Sequence, residues 1–263
     1  MTRSSISALF ILLLTASLAF AGRTACPQFY VDGVAPDFVN RKLTPKTRQL
    51  CNDGYGVEHS GLTRTPLWAA ERLTRDGLQR AKGLPRVNSF RPDPRLPVSE
   101  RAELRDFARS GYDRGHQASL ADQHTEASRD QTFFLSNMIP QDSDNNRNLW
   151  EGIETAIRNE TKRRGELYVL TGPLFQGNQI QSLKGRVMIP TGLFKAVYDP
   201  ARREAGAYVV ANAPGMQYQV VSIAQLEGIT GIRLFPSLSA KIRNNAMRLP
   251  EPRTYQQRRG GNQ

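Results

Sequence analysis

The chain has 263 residues, of which 39% are hydrophobic, and its 36 basic and 24 acidic side chains give a formal net charge of +12. It contains a single long apolar run, at the N-terminus, and no internal repeat. These features exclude a multi-span membrane protein and a repeat protein, and they predict one domain with a full hydrophobic core. Such a positive charge is expected to attract polyanions, and both nucleic acid and an acidic envelope surface fit that requirement.

The first 21 residues have the features of a secretory signal peptide. Arg3 gives a positive start, the segment from Ile6 to Phe20 is mostly apolar, and Ala19-Phe20-Ala21 fits a small-x-small cleavage site. An uncleaved membrane anchor is the alternative, and the shortness of the apolar run argues against it. Cleavage would leave 242 residues with a charge of +11, no membrane attachment, and a periplasmic or secreted location.

Two cysteines, Cys26 and Cys51, lie near the start of the mature chain. Export exposes them to oxidising conditions, so we predict a disulfide bond rather than two buried thiols. A pair is better explained as a structural bridge than as a catalytic cysteine. Two cysteines and 3 scattered histidines also lack the spacing of a zinc site.

The first part of the mature chain is predicted to be rich in loops. Short strands are predicted at Phe29 to Val31 and at Tyr55 to His59, and the lone His59 is expected to be structural or exposed. At Thr65 to Leu73, Thr65 as a cap and Pro66 in the first turn favour a helix. A short helix with Leu104 and Phe107 facing inward is predicted from Ser99 to Phe107.

That helix leads into Asp113-Arg114-Gly115-His116. Histidine is the usual general base near neutral pH, and arginine is a planar clamp for phosphate oxygens. Gly115 allows a sharp bend that would turn Arg114 and His116 towards one site. The combination suits phosphodiester hydrolysis, although taken alone it is equally well explained as a surface turn with a stray histidine.

After this stretch the chain is predicted to form a polar loop from Ala118 to Arg129, with His124 exposed, and then a buried strand from Thr132 to Ser136. A helix is predicted to follow a cap at Ser143 or Asp144. Its core face is formed by apolar residues at four-residue spacing: Leu149, Ile153 and Ile157.

On an adjoining face of that helix, Asn146 and Glu154 lie two turns apart, so both can address one site. Helix capping is the alternative for Asn146, and an ion pair with Arg158 is the alternative for Glu154.

The second half is predicted to supply strands and a basic tail. The predicted strands are Gly165 to Phe175, Val187 to Tyr198 with a break near Pro190, and Ala205 to Asn212. A short helix is predicted from Ile223 to Glu227, ending near Gly228. Lys195 is expected either to contact phosphate or to be solvated. Residues 250–263 are predicted to be a basic, disordered tail.

Together, Asp113 to His116 and Phe134 to Glu154 resemble the DNA/RNA non-specific endonucleases, a family with a ββα-metal (His-Me finger) active site. The matching features are DRGH, LSN at 135–137, a Pro140-Gln141 step and the pair Asn146 and Glu154. The resemblance extends from Cys26 to Leu249 and is closest to secreted bacterial members. It implies an α+β fold with a central, mostly antiparallel sheet flanked by helices, a nuclease domain at 22–249, and a core strand at 65–73.

The resemblance also implies roles for the site residues. Asn146 would be the only direct protein ligand of one divalent cation, Mg²⁺ or alternatively Mn²⁺, and Glu154 would hydrogen-bond the waters of that cation. His116 would take a proton from the attacking water, and Arg114 would stabilise charge in the transition state. Asn137 would support the site from behind, and Asp113 would hold the loop.

A further phosphate-binding arginine is expected just upstream of the aromatic and Asp-Pro step at 90–94. Both Arg86 and Arg91 can fill this role, because Asn88 stands where some members of the family carry the arginine. We take Arg86 as the site residue. Solvated surface charges are the alternative for both.

The implied activity is magnesium-dependent cleavage of single- and double-stranded DNA and of RNA to 5′-phosphate products, without base recognition. Two alternatives stay open. A non-catalytic, basic nucleic-acid-binding protein of the cell envelope would need the charge but neither Asn146 nor His116. A phosphodiesterase for small or lipid phosphoesters would need the chemistry but not the polymer. The sequence does not determine the oligomeric state, for which a homodimer is one option.

Overall fold

The computed structural model describes residues 24–254 and Gln257. The predicted signal peptide and most of the predicted tail lie outside these residues. The strands are β1 Asp37–Phe38, β2 Thr47–Cys51, β3 Gly56–Ser60, β4 Thr65–Thr74, β5 Asp113–His116, β6 Met138–Gln141, β7 Glu166–Leu174, β8 Ser182–Leu183, β9 Val187–Met188, β10 Gly192–Asp199, β11 Glu204–Ala211, β12 Tyr218–Val221 and β13 Ile232–Arg233. The helices are α1 Arg75–Arg80, α2 Leu104–Phe107, α3 Glu126–Gln131, α4 Ser143–Asn145, α5 Glu151–Arg164, α6 Ile223–Thr230 and α7 Ala240–Asn244. No helix within the described range has the length and apolar character to cross a membrane.

A seven-stranded antiparallel sheet forms the centre of the molecule, in the order β12-β11-β10-β7-β4-β3-β2. Side chains alternate between its two faces, so Phe194 packs with the N-terminal segment and α6 on one face, and Leu193 packs with α5 on the other. The predicted α+β fold with a mostly antiparallel sheet is therefore confirmed. Outside this sheet, β5 and β6 form a two-stranded antiparallel ribbon that leads into α4 and α5.

The ambiguous segment after Thr65 is a strand, as the family resemblance predicted. Strand β4 pairs with β3 on one side and β7 on the other, and most of its residues are buried. Pro66, which favoured a helix, pairs with His59 beside a shift in strand register, where the ladder is already irregular. Burial on both faces of the sheet therefore overrides the local helix signal. His59 is buried, and its Nε2 lies 2.9 Å from the carbonyl oxygen of Glu100, so it is structural.

Two predicted elements in the first half are wrong. Residues Phe29 to Val31 are not a strand but belong to two successive 3-10 turns, the first beginning at Pro27. These turns place neighbouring residues in one core, whereas a strand would send alternate side chains to opposite faces. The helix predicted from Ser99 is limited to α2, because Glu103 caps it there, and Leu104 is exposed while Phe107 is buried.

The strand predicted from Thr132 to Ser136 is also wrong. Residues 132–137 form turns that are mostly buried, and the strand begins only at Met138. The backbone around Phe134 is satisfied by two hydrogen bonds with Arg91, so no longer ladder is needed. The preceding polar loop contains α3, and His124 within that loop is half-buried rather than exposed.

The strands predicted in the second half are confirmed as β7, β9 with β10, and β11, with the break near Pro190. Helix α6 continues through Gly228 and ends at Gly231, whose φ of 69° is the left-handed conformation that terminates helices. The first residues of the predicted tail pack against the domain instead of being free. The Tyr208 hydroxyl donates to the carbonyl of Pro250, and the backbone of Arg253 lies against Gly152.

The predicted disulfide bond is present between Cys26 and Cys51. It ties the N-terminal segment to β2, with 5.7 Å between the two Cα atoms. The sulfur of Cys26 is packed so closely against Gly56 that a Cβ there would lie 3.1 Å from it. The bridge therefore fixes the N-terminal segment on the first face of the sheet.

We predict that the Cys26→Ser/Cys51→Ser double variant loses stability but keeps its fold. The bridge spans a sequence separation of 25 residues. Closing a loop of that size in the unfolded chain is worth about 3 kcal/mol, or roughly 10 °C in melting temperature for a domain of this size. Thermal unfolding monitored by circular dichroism, with and without reductant, tests this. If the wild-type chain melts at the same temperature before and after its disulfide bond is reduced, the prediction is wrong.

Candidate active site

A cavity of about 760 Å³ opens where the β5-β6 ribbon meets the start of the long helix. Five of the six residues predicted for the site line this cavity: Arg86, Arg114, His116, Asn146 and Glu154. The cavity is rich in cations, because its walls also carry Arg129, Arg147 and Arg158. The sixth predicted residue, Asn137, is fully buried behind the cavity.

Asn137 fixes the backbone that follows His116. Its Oδ1 accepts a hydrogen bond from the amide of Ala118 at 2.8 Å, and its Nδ2 donates to the carbonyls of Ala118 and Thr132 at 3.0 Å. These three hydrogen bonds leave the side chain little freedom. Asn137 thus holds the backbone after His116 without facing the cavity, and its role in the reaction stays a prediction.

The bend predicted at Gly115 does not exist. Gly115 lies within strand β5, and it is the alternation of that strand that puts Arg114 and His116 on one face. A glycine is required there for space, because a Cβ would lie 2.0 Å from Oε1 of Gln141 on the neighbouring strand. The glycine therefore serves close packing and not flexibility.

His116 lies in a desolvated, electropositive pocket. Its ring centroid is 5.8 Å from that of Phe90 and 5.4 Å from that of Phe133. Burial, reinforced by the positive charges of Arg86 and Arg114, lowers the pKa of His116 to about 3. Its Nε2 has no hydrogen-bond partner among the described residues. The imidazole is therefore neutral at neutral pH, and its Nε2 is buried within the pocket.

The carboxylate of Asp113 connects β5 to the start of the helix. It accepts from Arg147 through Nε at 2.9 Å and Nη2 at 2.7 Å, from Ser143 Oγ at 3.1 Å, and from Asn146 Nδ2 at 3.0 Å. Burial raises the pKa of Asp113, but these hydrogen bonds outweigh it and hold the pKa below its usual value. Because the amide nitrogen of Asn146 is held by Asp113, its Oδ1 is the atom left for a ligand.

Asn146 does not cap the start of the helix. The cap is Asp142, whose side chain accepts from the amide of Asn145 at 2.9 Å, so the caps predicted at Ser143 and Asp144 are wrong by one and two residues. Asn146 instead begins a five-residue π-helical segment, Asn146–Trp150, that joins α4 to α5. Such segments often occur at functional sites.

Glu154 lies in the cavity wall and forms the predicted ion pair with Arg158, while its role towards a cation stays a prediction. The hydroxyl of Ser119 donates to Glu154 Oε2 at 3.0 Å, and Arg158 Nη1 lies 3.8 Å from the same oxygen. Burial raises the pKa of Glu154, against the opposing effect of Arg158. Arg158 is in turn held by Asp122 at 3.2 Å. Sequence reasoning missed Ser119, although it stands only three residues after His116.

The two candidate phosphate-binding arginines lie in different places. Arg86 lines the cavity, and its Nε donates to Asn88 Oδ1 at 2.9 Å. Arg91 is absent from the lining, forms an ion pair with Asp130 and stacks on Phe134 with 4.2 Å to the ring centroid. The geometry therefore favours Arg86.

Lys195 fulfils neither expectation. It is 1% exposed, donates to Thr171 Oγ1 at 2.7 Å and lies 5.4 Å from the ring centroid of Trp150. Its strand is central in the sheet and covered by α5, so it reaches neither solvent nor a phosphate.

The oxygen donors of the cavity fit a hard divalent cation held by few protein ligands. Within residues 24–254, no group of three or more His, Cys, Asp or Glu side chains is arranged as a metal site. The oxygen donors in its wall include the amide oxygen of Asn146 and the carboxylates of Asp113, Glu151 and Glu154. Mg²⁺ and Mn²⁺ prefer such oxygens, and Mg²⁺ keeps several of its waters.

Comparisons with known proteins point to one family. The model of the DNA/RNA non-specific endonuclease family matches residues 36–241. The chain is 32% identical over 232 residues to Nuclease C1 of Cunninghamella echinulata, covering 80% of this chain and 87% of that protein. It is 35% identical to the mitochondrial Nuclease EXOG of Danio rerio over 66% of this chain, but spans only 57% of that protein's length.

A solved structure supports the same grouping. The fold is similar to a chain in the crystal structure of the EndoG/EndoGI complex, with a TM-score of 0.65 and 26% identity. The match covers 74% of this chain and 88% of the other.

We predict that His116 remains neutral wherever an ordinary histidine titrates. Proton NMR from about pH 8 to about pH 5 should show no protonation of its imidazole near the usual value of about 6.5. The chain has only 3 histidines, so the His116→Gln variant assigns the signal. Titration of the assigned signal near pH 6.5 would show that the ring is solvated and not enclosed as described.

Proposed function

We propose that this chain, which belongs to the DNA/RNA non-specific endonuclease family, cuts DNA and RNA with Mg²⁺ as its cation and leaves 5′-phosphate ends. Membership makes it a phosphodiester hydrolase, and the cation, the products and the range of substrates are the proposed part. The observation that carries this proposal is the arrangement of one cavity. In it, a neutral His116 stands beside Arg114, and Asn146 is held by Asp113 with its oxygen available.

The proposed reaction is an attack of water on a backbone phosphate. His116 accepts a proton from the water as it attacks, because its imidazole lines the cavity and is neutral at physiological pH. Arg114 is pre-oriented over the Phe90 ring, 4.1 Å from its centroid, and with Arg86 it neutralises the charge that grows on the phosphate oxygens. The P–O bond to the 3′ oxygen breaks, and that oxygen takes a proton from solvent.

Asn146 and Glu154 would hold the cation and its waters from one helix. A bound divalent cation supplies Lewis-acid stabilisation of phosphate charge. Ser119 and Arg158 keep the Glu154 carboxylate in place, so its distance from Asn146 is fixed by both backbone and side-chain contacts.

The composition of the cavity supports broad substrate use. Its charged lining is dominated by arginines that suit phosphate oxygens, and phosphate contacts carry no sequence information. We propose that the chain cuts both sugar types and both single and double strands for this reason. The disulfide bond between Cys26 and Cys51 supports export to an oxidising compartment, the periplasm or the exterior. A homodimer stays a prediction.

Incubation of the purified mature chain with DNA and with RNA, with and without EDTA, tests the proposal. Loss of both polymers only in the presence of the cation, with end-labelling that finds 5′-phosphates, is the expected result. Binding without cleavage under every cation condition would favour the non-catalytic alternative.

Replacement of Arg86 and of Arg91 should have different effects. Arg86→Ala should lower kcat/KM by about 10–100-fold, because a hydrogen bond from a charged donor is worth about 1.5–3 kcal/mol. Arg91→Ala breaks an ion pair outside the cavity and should change mainly the melting temperature. Steady-state cleavage and thermal unfolding of both variants test this. A larger kinetic defect in the Arg91 variant would reverse the assignment.

Three variants at the start of the helix test whether Asn146 is a ligand of the cation or only a structural residue. Asn146→Ala should lose activity and recover only at high Mg²⁺, because it removes the proposed protein ligand. Asn146→Asp should bind the cation but turn over slowly, since its charge weakens the Lewis acid. Asn148→Ala is the matched control, because Asn148 pairs with Asp144 one turn away on the same helix. Cleavage at ordinary Mg²⁺ by the Asn146→Ala variant, at the rate of the control, would rule out the ligand role.

A further inference from the structure

A second concave surface lies beyond the far end of α5, between the turn that joins β10 to β11 and the segment that follows α7. It contains a cleft of about 800 Å³ with four cations in its lining: Arg202, Arg203, Lys241 and Arg248. A pocket of about 370 Å³ adjoins the cleft and shares Arg203, Ser239 and Ile242 with it. The lining of this pocket includes two tyrosines, Tyr168 and Tyr198. We call the cleft and the pocket together the distal groove.

The positive charge of the distal groove is not neutralised by the protein. Two acids beside the cleft are already engaged, since Asp199 pairs with Arg164 and Arg202, and Glu204 pairs with Arg164. The adjoining pocket contains one exposed carboxylate, Asp32, against the four cations of the cleft. Three exposed cations form no ion pair with any residue that the structure describes: Arg203, Lys241 and Arg248. An open cleft with several uncompensated cations attracts an extended anion.

The adjoining pocket adds an aromatic surface. Tyr198 is 7% exposed and packs in the core, so the ring open to a ligand is Tyr168, which is half-buried and has Arg72 5.8 Å from its centroid on one side. A groove that combines cations with aromatic rings is typical of single-stranded nucleic-acid sites, where phosphates meet the cations and bases stack on the rings. A duplex keeps its bases stacked inside and would leave the tyrosines unused.

We propose that the distal groove binds a single-stranded segment of nucleic acid, with its phosphates against Arg203, Lys241 and Arg248 and a base against Tyr168. This proposal rests on the proposed function, because it gives the same substrate a second point of attachment. The groove and the catalytic cavity are joined by α5. Glu151 at its start lines the cavity, and Arg164 at its end bonds Glu204 of the groove.

The length of α5 sets the length of strand required. Its 14 residues rise about 21 Å. A stacked strand advances about 3.4 Å per nucleotide, so a path along the helix alone takes about six nucleotides. The tyrosine pocket lies on the opposite face of the sheet from α5, so a strand that contacts both sites must be longer than this. Long single strands can therefore contact both sites, while very short ones can contact only one.

The test uses the mature chain in EDTA, where binding is measured without cleavage. Fluorescence anisotropy with labelled single strands of about 25 and about 4 nucleotides compares strands that can and cannot span the two sites. The charge-reversed variant is Arg203→Glu/Lys241→Glu. The matched control is Arg41→Glu/Lys42→Glu, which makes the same charge change at two exposed residues outside both cavities.

The Arg203→Glu/Lys241→Glu variant should bind the long strand at least about tenfold more weakly. Its binding should also depend less on salt. The slope of log affinity against log salt should decrease in magnitude by about 1.4, since the variant loses two phosphate contacts and each contributes about 0.7 on a single strand. Tyr168→Leu should weaken the long strand by about fivefold with an unchanged salt slope, because stacking is not ionic. The short strand contacts one site at a time, so the groove variants should weaken its binding by no more than about twofold, since the cavity still binds it.

Three results would overturn the proposal. An equal loss in the control pair would show only a net-charge effect, and an equal loss for a long duplex would remove the single-strand assignment. Loss of binding to phosphatidylglycerol vesicles, with strand binding intact, would assign the groove to a membrane surface. Cleavage of the short strand with Mg²⁺ tests the proposed function separately from the groove. Variants of the distal groove should retain this cleavage at the wild-type rate, whereas no cleavage by the wild-type chain would contradict the proposed function itself.

Discussion

The carboxylate of Asp113 accepts hydrogen bonds from three side chains at the start of one helix, and the geometry of the catalytic cavity depends on these bonds. They fix the distance between β5, which carries His116, and the helix, which carries Asn146 and Glu154. The same carboxylate holds the amide nitrogen of Asn146, which leaves the amide oxygen available. Asp113 therefore both joins the two structural elements and selects the atom that the proposed cation would meet.

Burial explains how a basic cavity can contain a proton acceptor. Phe90 and Phe133 enclose the ring of His116, and the cations of Arg86 and Arg114 add to the cost of protonating it. The arginines that suit a phosphate thus also keep the imidazole neutral. An exposed histidine would instead titrate near neutral pH.

Motif spacing predicted most of the cavity, whereas local propensity often failed. The positions of Asn146 and Glu154 follow from spacing on one helix, and that spacing survives the π-helical segment. The strand at Thr65–Thr74 could not be read from its own residues, because pairing on both sides decides its conformation. Gly115 was misread because close packing against a neighbouring strand leaves no local sign. Lys195 was misread because its burial depends on a helix that lies far away in sequence.

The most direct test is anomalous diffraction from crystals of the wild-type chain grown with Mn²⁺. The proposed site predicts one cation in the cavity, bonded directly to Oδ1 of Asn146, with Nδ2 still donating to Asp113 and no other protein atom in direct contact. A cation bound only through carboxylates such as Glu154, with the Asn146 oxygen turned away, would contradict the central claim that Asp113 orients Asn146 as the ligand.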